Sequence, residues 1–256
     1  MSRNKLAAMI LTGLMAASPF ASAQASDAEW ALSLYGWLPT VGVDANTNIP
    51  PGGVSTTVNF SNLVDSINGL FLGHAEVQGE RFGAFGDILY LGIGKTRNFD
   101  LFTSDTQIDS GIYELAAVWN VEPERFDGFD VFAGMRYFDV SLDLELDPVN
   151  PAFPNVRLDG SDSYLDFMLG ARYFGQLSDR WGYMLRADGS WGDTDGSMNL
   201  SANLTYKTNS GAWAFGYRYM DVSLPQTHKS LNAADPDLAL DLSLSGPVFS
   251  YTWLIK

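Results

Sequence analysis

The stretch YLDFMLGARYF, residues 164–174, decides the fold class of this chain. In an extended strand, successive side chains point to opposite faces. One face of this stretch is then entirely apolar or aromatic, whereas the other carries Asp166 and Arg172. A helical period does not separate the residues in this way. The stretch therefore predicts a β-strand between an apolar and a polar environment, in which a buried arginine needs a partner.

The same pattern recurs along most of the chain. GARYF at 170–174 has two near-copies, GMRYF at 134–138 and GYRYM at 216–220, and each places an arginine two residues after a glycine. Alternation of apolar and polar or small residues predicts ten strands, an even number that is typical of a bacterial single-chain barrel. They span residues 29–39, 69–79, 81–95, 106–121, 128–146, 160–176, 180–192, 198–208, 211–224 and 237–255.

Composition favours a membrane barrel over a soluble fold. The chain of 256 residues has no cysteine, a net charge of −15, 13% aromatic residues and only 18% charged residues. The acidic balance argues against nucleic-acid binding, which needs a basic face. A secreted β-sandwich would expose a polar outer face, but here one face stays apolar in strand after strand. We therefore expect an all-β, closed antiparallel barrel in the outer membrane.

The first residues are typical of a secretory signal peptide. Arg3 and Lys5 precede an apolar run at 6–17, and the small residues ASA follow at 21–23. This layout predicts a signal peptide over residues 1–23. The apolar run is short for a membrane-spanning helix. We expect residues 24–256 to form a single barrel domain.

The connections between the predicted strands fall into two groups. The turns at 79–81, 122–128, 176–179 and 209–211 are shorter, and we expect them to face the periplasm together with both termini. The longest connection, 40–68, contains PPGG at 50–53, which predicts a sharp turn. Within it, 54–60 predicts an additional β segment and 61–67 a short helix, at the outer mouth or inside the lumen. A further pair of strands, making twelve, is the alternative.

Three blocks of sequence resemble a known family. They are STTVNFSNLVDSINGLFLGHAEVQGERFGAFGDILYLGIG at 55–94, the repeated GxRYxDV pattern, and GPVFSYTWL at 246–254. Together they are similar to a large family of proteobacterial outer-membrane β-barrel proteins that are often described as porin-like. The resemblance implies the barrel fold, the outer-membrane location and insertion by the barrel assembly machinery. It implies no particular substrate. The last strand ends on Ile255 and Lys256, whereas such barrels commonly finish on an aromatic residue.

Strand parity predicts a set of charged side chains inside the barrel. A ten-stranded barrel is narrow enough for its side chains to nearly fill the interior. Opposite charges there can pair through bidentate hydrogen bonds. We expect these pairs to replace a hydrophobic core, and the alternative is a narrow pore lined by the same charges. The predicted members of this lumen network are Glu76, Asp87, Glu114, Arg136, Asp166, Arg172, Arg186, Asp188, Arg218 and His74.

Features outside the lumen are typical of a membrane wall. Outward aromatic residues predict girdles at the membrane interfaces, and the loops are acidic, including Asp193 and Asp195 of GDTDG. That sequence only weakly resembles a calcium loop, because the downstream ligand spacing is missing. A solvated acidic loop is the preferred interpretation. The predicted girdle residues are Tyr137, Tyr173, Trp181, Trp213, Tyr219 and Trp253.

The sequence therefore predicts an integral outer-membrane barrel that is porin-like or structural, with small solutes as candidate cargo. Outer-membrane lipid and lipopolysaccharide are the expected surroundings, and nucleic acid is not an expected partner. One alternative is a non-conducting surface protein that binds a partner through acidic loops. Another is a hydrolase at the rim that uses His74 or His228. We expect no enzyme and no cofactor, since phosphate-binding and metal-binding motifs are absent from the sequence.

Overall fold

A computed structural model describes residues 28–48, 51–58, 67–98, 102–123, 125–148, 156–225 and 238–255. The predicted signal peptide lies outside these residues, as does the predicted helix at 61–67 except for Ile67, which begins a strand. Within the described part, no helix is long and apolar enough to cross a membrane. The regular structure consists of twelve strands. They are β1 (Glu29–Trp37), β2 (Thr40–Asn48), β3 (Pro51–Val58), β4 (Ile67–Gln78), β5 (Phe82–Asn98), β6 (Phe102–Asn120), β7 (Gly128–Pro148), β8 (Val156–Gln176), β9 (Trp181–Gly192), β10 (Gly196–Lys207), β11 (Gly211–Leu224) and β12 (Leu238–Ile255).

Ten of these strands close into an antiparallel barrel, as predicted. They are β1 and β4 to β12, and β1 closes the wall by pairing with both β4 and β12. The other two strands form a hairpin in which β2 continues the line of β1 along the edge of β12. An additional pair of strands therefore exists, but it extends the wall instead of widening it. The predicted turn at 50–53 overlaps the start of β3 at Pro51.

The register fixes the width of the barrel. Following paired residues once around the wall from Trp30 leads to Gly42, a displacement of 12 residues along the chain. With strands about 4.8 Å apart and about 3.3 Å of rise per residue, this displacement gives a tilt of about 40° and a backbone radius of about 10 Å. Long side chains from opposite walls therefore meet in the middle.

The two ends of the barrel differ. The connections at 79–81, 121–127, 177–180 and 208–210 lie at the same end as the start of β1 and the end of β12, which we call the turn end. At the opposite, far end, β5 to β8 run for 17 to 21 residues. However, β9 and β10 are joined by only three residues, 193–195. At the far end the wall therefore extends further along β5 to β8 than along β9 and β10. Far-end connections were expected to be the longer ones, and the connection between β9 and β10 does not follow this expectation.

Inside the barrel, a central group of charged side chains lies between two apolar layers, and a second charged group extends past the apolar layer nearest the turn end. Residues two positions apart on a strand share a face, and most of the inward charged residues have an apolar residue two positions away. The far-end apolar layer includes Leu72, Leu89, Ile112, Phe138 and Met220, each two residues from a charged member of the predicted network. The turn-end layer consists of Phe85, Ala116, Val118, Phe132 and Met168.

The glycine of GARYF makes room for one of these layers. Gly170 pairs with Phe132 on β7 and with Asp188 on β9. A Cβ at this position would overlap the Phe132 ring and the Asp188 side chain. The side chain of Phe132 is fully buried and has no room to move away.

Replacing Gly170 with alanine is expected to lower the free energy of unfolding by about 1–3 kcal/mol, because it overpacks a closed interior. Gly160 on β8 is the matched control, since a Cβ there would meet nothing within 4 Å. The measurement is urea unfolding in lipid vesicles, followed by tryptophan fluorescence. Equal midpoints for the two alanine variants would contradict the packing of Gly170 against Phe132.

Candidate functional site

All ten residues of the predicted lumen network lie on the inward faces of their strands, and most are buried. They come from six strands of the barrel wall, β4 to β9, and from β11. The structure brings nine of them into two clusters near mid-barrel. The tenth, Asp166, contacts different partners and is described separately below.

The central cluster is built around Arg136. Its Nε and Nη2 atoms donate to Glu114 Oε1 at 3.0 and 2.7 Å, and Nη2 also donates to Asp188. Arg186 contacts the same two acids, with Nη2 2.7 Å from Glu114 Oε2 and Nε 2.6 Å from Asp188 Oδ2. Arg136 Nη1 donates to Ser197 Oγ at 2.8 Å across the lumen. Two arginines and two carboxylates therefore share one set of charge-assisted hydrogen bonds.

Arg218 joins this cluster from β11. Its Nε donates to Asn199 Oδ1 at 2.8 Å, and Asn199 Nδ2 in turn donates to Asp188 Oδ2 at 2.7 Å. Arg218 Nη2 lies 4.0 Å from Glu114 Oε1. The guanidinium also lies 4.8 Å from the centre of the Trp37 ring, within the range of a cation–π interaction. The neutral Asn199 therefore links a third arginine to a carboxylate.

The second cluster lies closer to the turn end. Arg172 Nη1 and Nη2 donate to the two oxygens of Glu76 at 2.9 and 2.6 Å, and Nη2 also lies 3.0 Å from Asp130 Oδ2. Gln78 Nε2 donates to Glu76 Oε1 at 2.7 Å. Arg172 belongs to β8 and Glu76 to β4, so this bidentate pair spans the lumen.

His74 extends the second cluster from Glu76 to Asp87. Its Nε2 lies 3.1 Å from Glu76 Oε2, and its Nδ1 lies 3.2 Å from Asp87 Oδ2. The Tyr35 hydroxyl donates to Asp87 Oδ1 at 2.7 Å. Both ring nitrogens of His74 are therefore directed at carboxylates inside the lumen, and His74 is not a rim residue. The other histidine of the rim-hydrolase hypothesis, His228, lies outside the described residues.

Asp166 differs from the other lumen carboxylates because its hydrogen-bond partners are neutral. Its carboxylate accepts hydrogen bonds from Ser190 Oγ at 2.8 Å, and from Thr194 N and Oγ1 at 3.0 and 2.5 Å. Asp193 Oδ2 accepts from the backbone N–H of Leu165 at 3.0 Å. Thr194 and Asp193 thus hold the GDTDG turn against β8.

Several members of the site were missed by the sequence analysis. Asp130 lies six residues before Arg136, so strand parity places both on the inward face, and it could have been found in this way. Gln78 and Asn199 have inward parity too, but a search restricted to charged residues omits them. The sequence does not identify Tyr35 as a member of the polar network, since inward aromatic residues are also expected in an apolar layer. With Asp130 included, the two clusters and Asp166 contain six acids and four arginines.

The arrangement stabilises the interior and fills it. The arginine guanidinium groups also stack on the turn-end apolar layer, with Arg172 and Arg186 each 5.4 Å from the Phe85 ring centre. Among the described residues, no group of three or more acidic or histidine side chains could hold a metal ion. The acids instead contact arginines, amides and hydroxyls. The geometry therefore supports a closed, ion-paired interior.

The outer face has the opposite character. Large apolar side chains are exposed on all ten strands of the barrel wall, β1 and β4 to β12. A closed barrel with an apolar exterior and a polar interior can satisfy its backbone and side chains within lipid, and this is the organisation of outer-membrane barrels. The chain is therefore an integral outer-membrane β-barrel. Of the predicted girdle residues, Tyr173, Trp181, Trp213 and Trp253 are exposed near the turn end, and Tyr137 and Tyr219 are partly exposed.

Comparisons with known proteins find similarity in fold alone. No family model and no curated protein matches the chain. Among solved structures, the outer-membrane protease OmpT of Escherichia coli has a TM-score of 0.47 and 10% identity, with 93% of this chain and 100% of OmpT covered. Ail of Yersinia pestis, solved with the heparin analogue sucrose octasulfate, has a TM-score of 0.39 and 9% identity, covering 88% and 99%. A FadL homologue of Pseudomonas aeruginosa has a TM-score of 0.37 and 10% identity, covering 89% and 90%. These values assign no activity to the chain.

Proposed function

We propose that this barrel is a surface protein of the outer membrane whose lumen is closed by its own side chains, and not an open porin. The observation that carries the proposal is the burial of lumen residues on separate strands. Arg136 on β7, Met168 on β8 and Met220 on β11 are each 0% exposed. A water-filled channel would leave such inward side chains in contact with solvent.

The far rim supports a role in contact with the exterior. Exposed acids on this rim include Asp44, Asp105, Asp193 and Asp195, and the whole chain has a net charge of −15. A surface of one sign raises the local concentration of oppositely charged partners. The partner class that we infer is therefore cationic. Contact with lipopolysaccharide and with the barrel assembly machinery stays a prediction. The passage of small solutes is the competing hypothesis, because it needs an open lumen.

The proposal includes no catalytic role. A hydrolase needs a base within hydrogen-bond reach of its nucleophile. Both ring nitrogens of His74 are directed at carboxylates, Glu76 and Asp87, and the ring lies inside the barrel away from both rims. This geometry suits a structural member of the lumen network better than a general base.

The purified protein is expected to give no discrete conductance steps in planar lipid bilayers at any voltage that the bilayer tolerates. The reason is that two apolar layers and two ion-paired clusters fill the lumen. Insertion is verified in parallel by protease protection in vesicles, and by a different electrophoretic mobility of unheated and heated samples. Reproducible conductance steps from inserted protein would reject the closed lumen in favour of a narrow pore.

A further inference from the structure

An aromatic groove on the outer wall lies beside two basic residues at the turn end. It is lined by Trp181, Tyr206, Trp213 and Phe215 and has a volume of about 290 Å³. The rings of Trp181 and Tyr206 are 4.9 Å apart on one side of the groove. Those of Trp213 and Phe215 are stacked 6.3 Å apart on the other side. The groove is therefore bounded by two aromatic ridges, and it faces the lipid.

Strand register creates these ridges. Tyr206 on β10 pairs with Trp181 on β9 and with Trp213 on β11, so three outward aromatic residues lie at one level. Phe215 is two residues further along the outward face of β11. Trp181 begins β9, and only one residue of β11 separates Trp213 from its start at Gly211. The groove consequently lies where the wall meets the turn-end headgroup region.

The basic residues are placed at the headgroup end of the groove. Arg180 Nη1 donates to the Tyr206 hydroxyl at 3.3 Å. The backbone N–H of Lys207 donates to the carbonyl of Arg180 at 2.8 Å, which holds the two residues side by side. Both are exposed. A guanidinium has five N–H donors, so the Tyr206 contact leaves donors of Arg180 directed elsewhere. Asp179 precedes Arg180 and is the nearest acid in sequence.

We infer that this groove binds one anionic phospholipid of the periplasmic leaflet. Its phosphate contacts Arg180 and Lys207, and one acyl chain lies between the two aromatic ridges. Two adjacent cations are unusual on a chain with a net charge of −15, and charge complementarity therefore selects an anionic headgroup. Arginine and lysine are the side chains that recognise phosphate, and each basic residue near a membrane surface adds measurable attraction to anionic lipid.

The groove tryptophans provide the readout. Bromine atoms on an acyl chain quench tryptophan fluorescence on contact, so the protein is reconstituted in phosphatidylcholine vesicles that contain a small fraction of brominated lipid. We expect brominated phosphatidylglycerol to associate about tenfold more strongly than brominated phosphatidylcholine. In the double variant R180Q/K207Q this preference is expected to fall to about one. In W181F/W213F, the additional quenching by brominated phosphatidylglycerol over brominated phosphatidylcholine is expected to disappear.

The matched control is R81Q. Arg81 is an exposed basic residue at the same end, whose Nη1 donates to the Val121 carbonyl at 3.2 Å, and this variant should keep the preference for phosphatidylglycerol. Unchanged heat-dependent mobility verifies that each variant is folded. Equal quenching by the two brominated lipids in the unaltered protein would overturn the proposal. So would a preference for phosphatidylglycerol that survives in R180Q/K207Q. Neither outcome depends on whether the lumen conducts.

Discussion

Replacing Arg136 with methionine is expected to lower the free energy of unfolding by about 3–5 kcal/mol, because it removes one of the two arginines that the buried carboxylates Glu114 and Asp188 share. Arg136 is fully buried and donates to Glu114, Asp188 and Ser197. Methionine has a similar length and fills the same space without a charge. The loss therefore reports the removed ion pairs more than a cavity. The measurement is urea unfolding in lipid vesicles, followed by tryptophan fluorescence.

The control for this variant is Arg81→Met, at an exposed position on the turn between β4 and β5. Exposed charges contribute little to stability, and we expect a loss below about 1 kcal/mol. A double-mutant cycle that adds Glu114→Gln separates the Arg136–Glu114 interaction from the rest of the cluster. The ion-paired interior would be refuted if Arg136→Met and Arg81→Met unfolded at the same urea concentration.

The second large decrease in the free energy of unfolding is expected for Glu114→Gln. It is best compared with the decrease for Asp166→Asn. Both changes convert a buried carboxylate to an amide of the same shape. Glu114 faces Arg136 and Arg186, whereas the hydrogen-bond donors of Asp166 are Ser190 and Thr194. Loss of Glu114 therefore leaves two buried arginines short of a counter-charge, at a cost of about 3–5 kcal/mol. Loss of Asp166 disturbs neutral hydrogen bonds, at a cost of about 1–3 kcal/mol.

The comparison decides whether charge pairing or burial alone controls the stability of the interior. Similar burial of the two carboxylates makes them a matched pair, since Glu114 is 5% exposed and Asp166 is 1% exposed. Unfolding in urea again provides the free energies, and limited proteolysis at residues 193–195 reports local opening of the turn that Asp166 holds. Equal free-energy losses for the two variants would show that burial, and not the arginine partners, determines the effect.

Much of this fold could be predicted from the two-residue period of the sequence. The ten predicted strands correspond to the ten strands that close the barrel, because an outward apolar face is required wherever the wall meets lipid. The hairpin of β2 and β3 was less predictable. Its residues carry weak alternation, and only the pairing of β2 with the edge of β12 shows that it extends the wall.

The inward direction of the candidate site residues also follows from parity, but their partners do not. Arg172 and Glu76 are 96 positions apart in sequence, and they meet because the wall closes with a displacement of 12 residues. A different displacement would set Arg172 against other side chains. Parity likewise does not reveal whether a lumen is open, since that depends on whether side chains from opposite walls meet.

The long-range pair between Arg172 and Glu76 has a consequence for how the protein enters the membrane. Three complete strands lie between β4 and β8. Arg172 and Glu76 therefore come into contact only after the sheet has curled. In a flat or half-curled sheet placed in lipid, Glu76 would have no arginine partner and Arg172 would have only Asp130 of the adjacent strand β7, and such incompletely paired charges are costly in lipid. Docking of β1 against β12 and expulsion of water from the interior are therefore one cooperative event. Membrane insertion therefore requires an environment that is hydrated and separated from lipid until β1 has paired with β12.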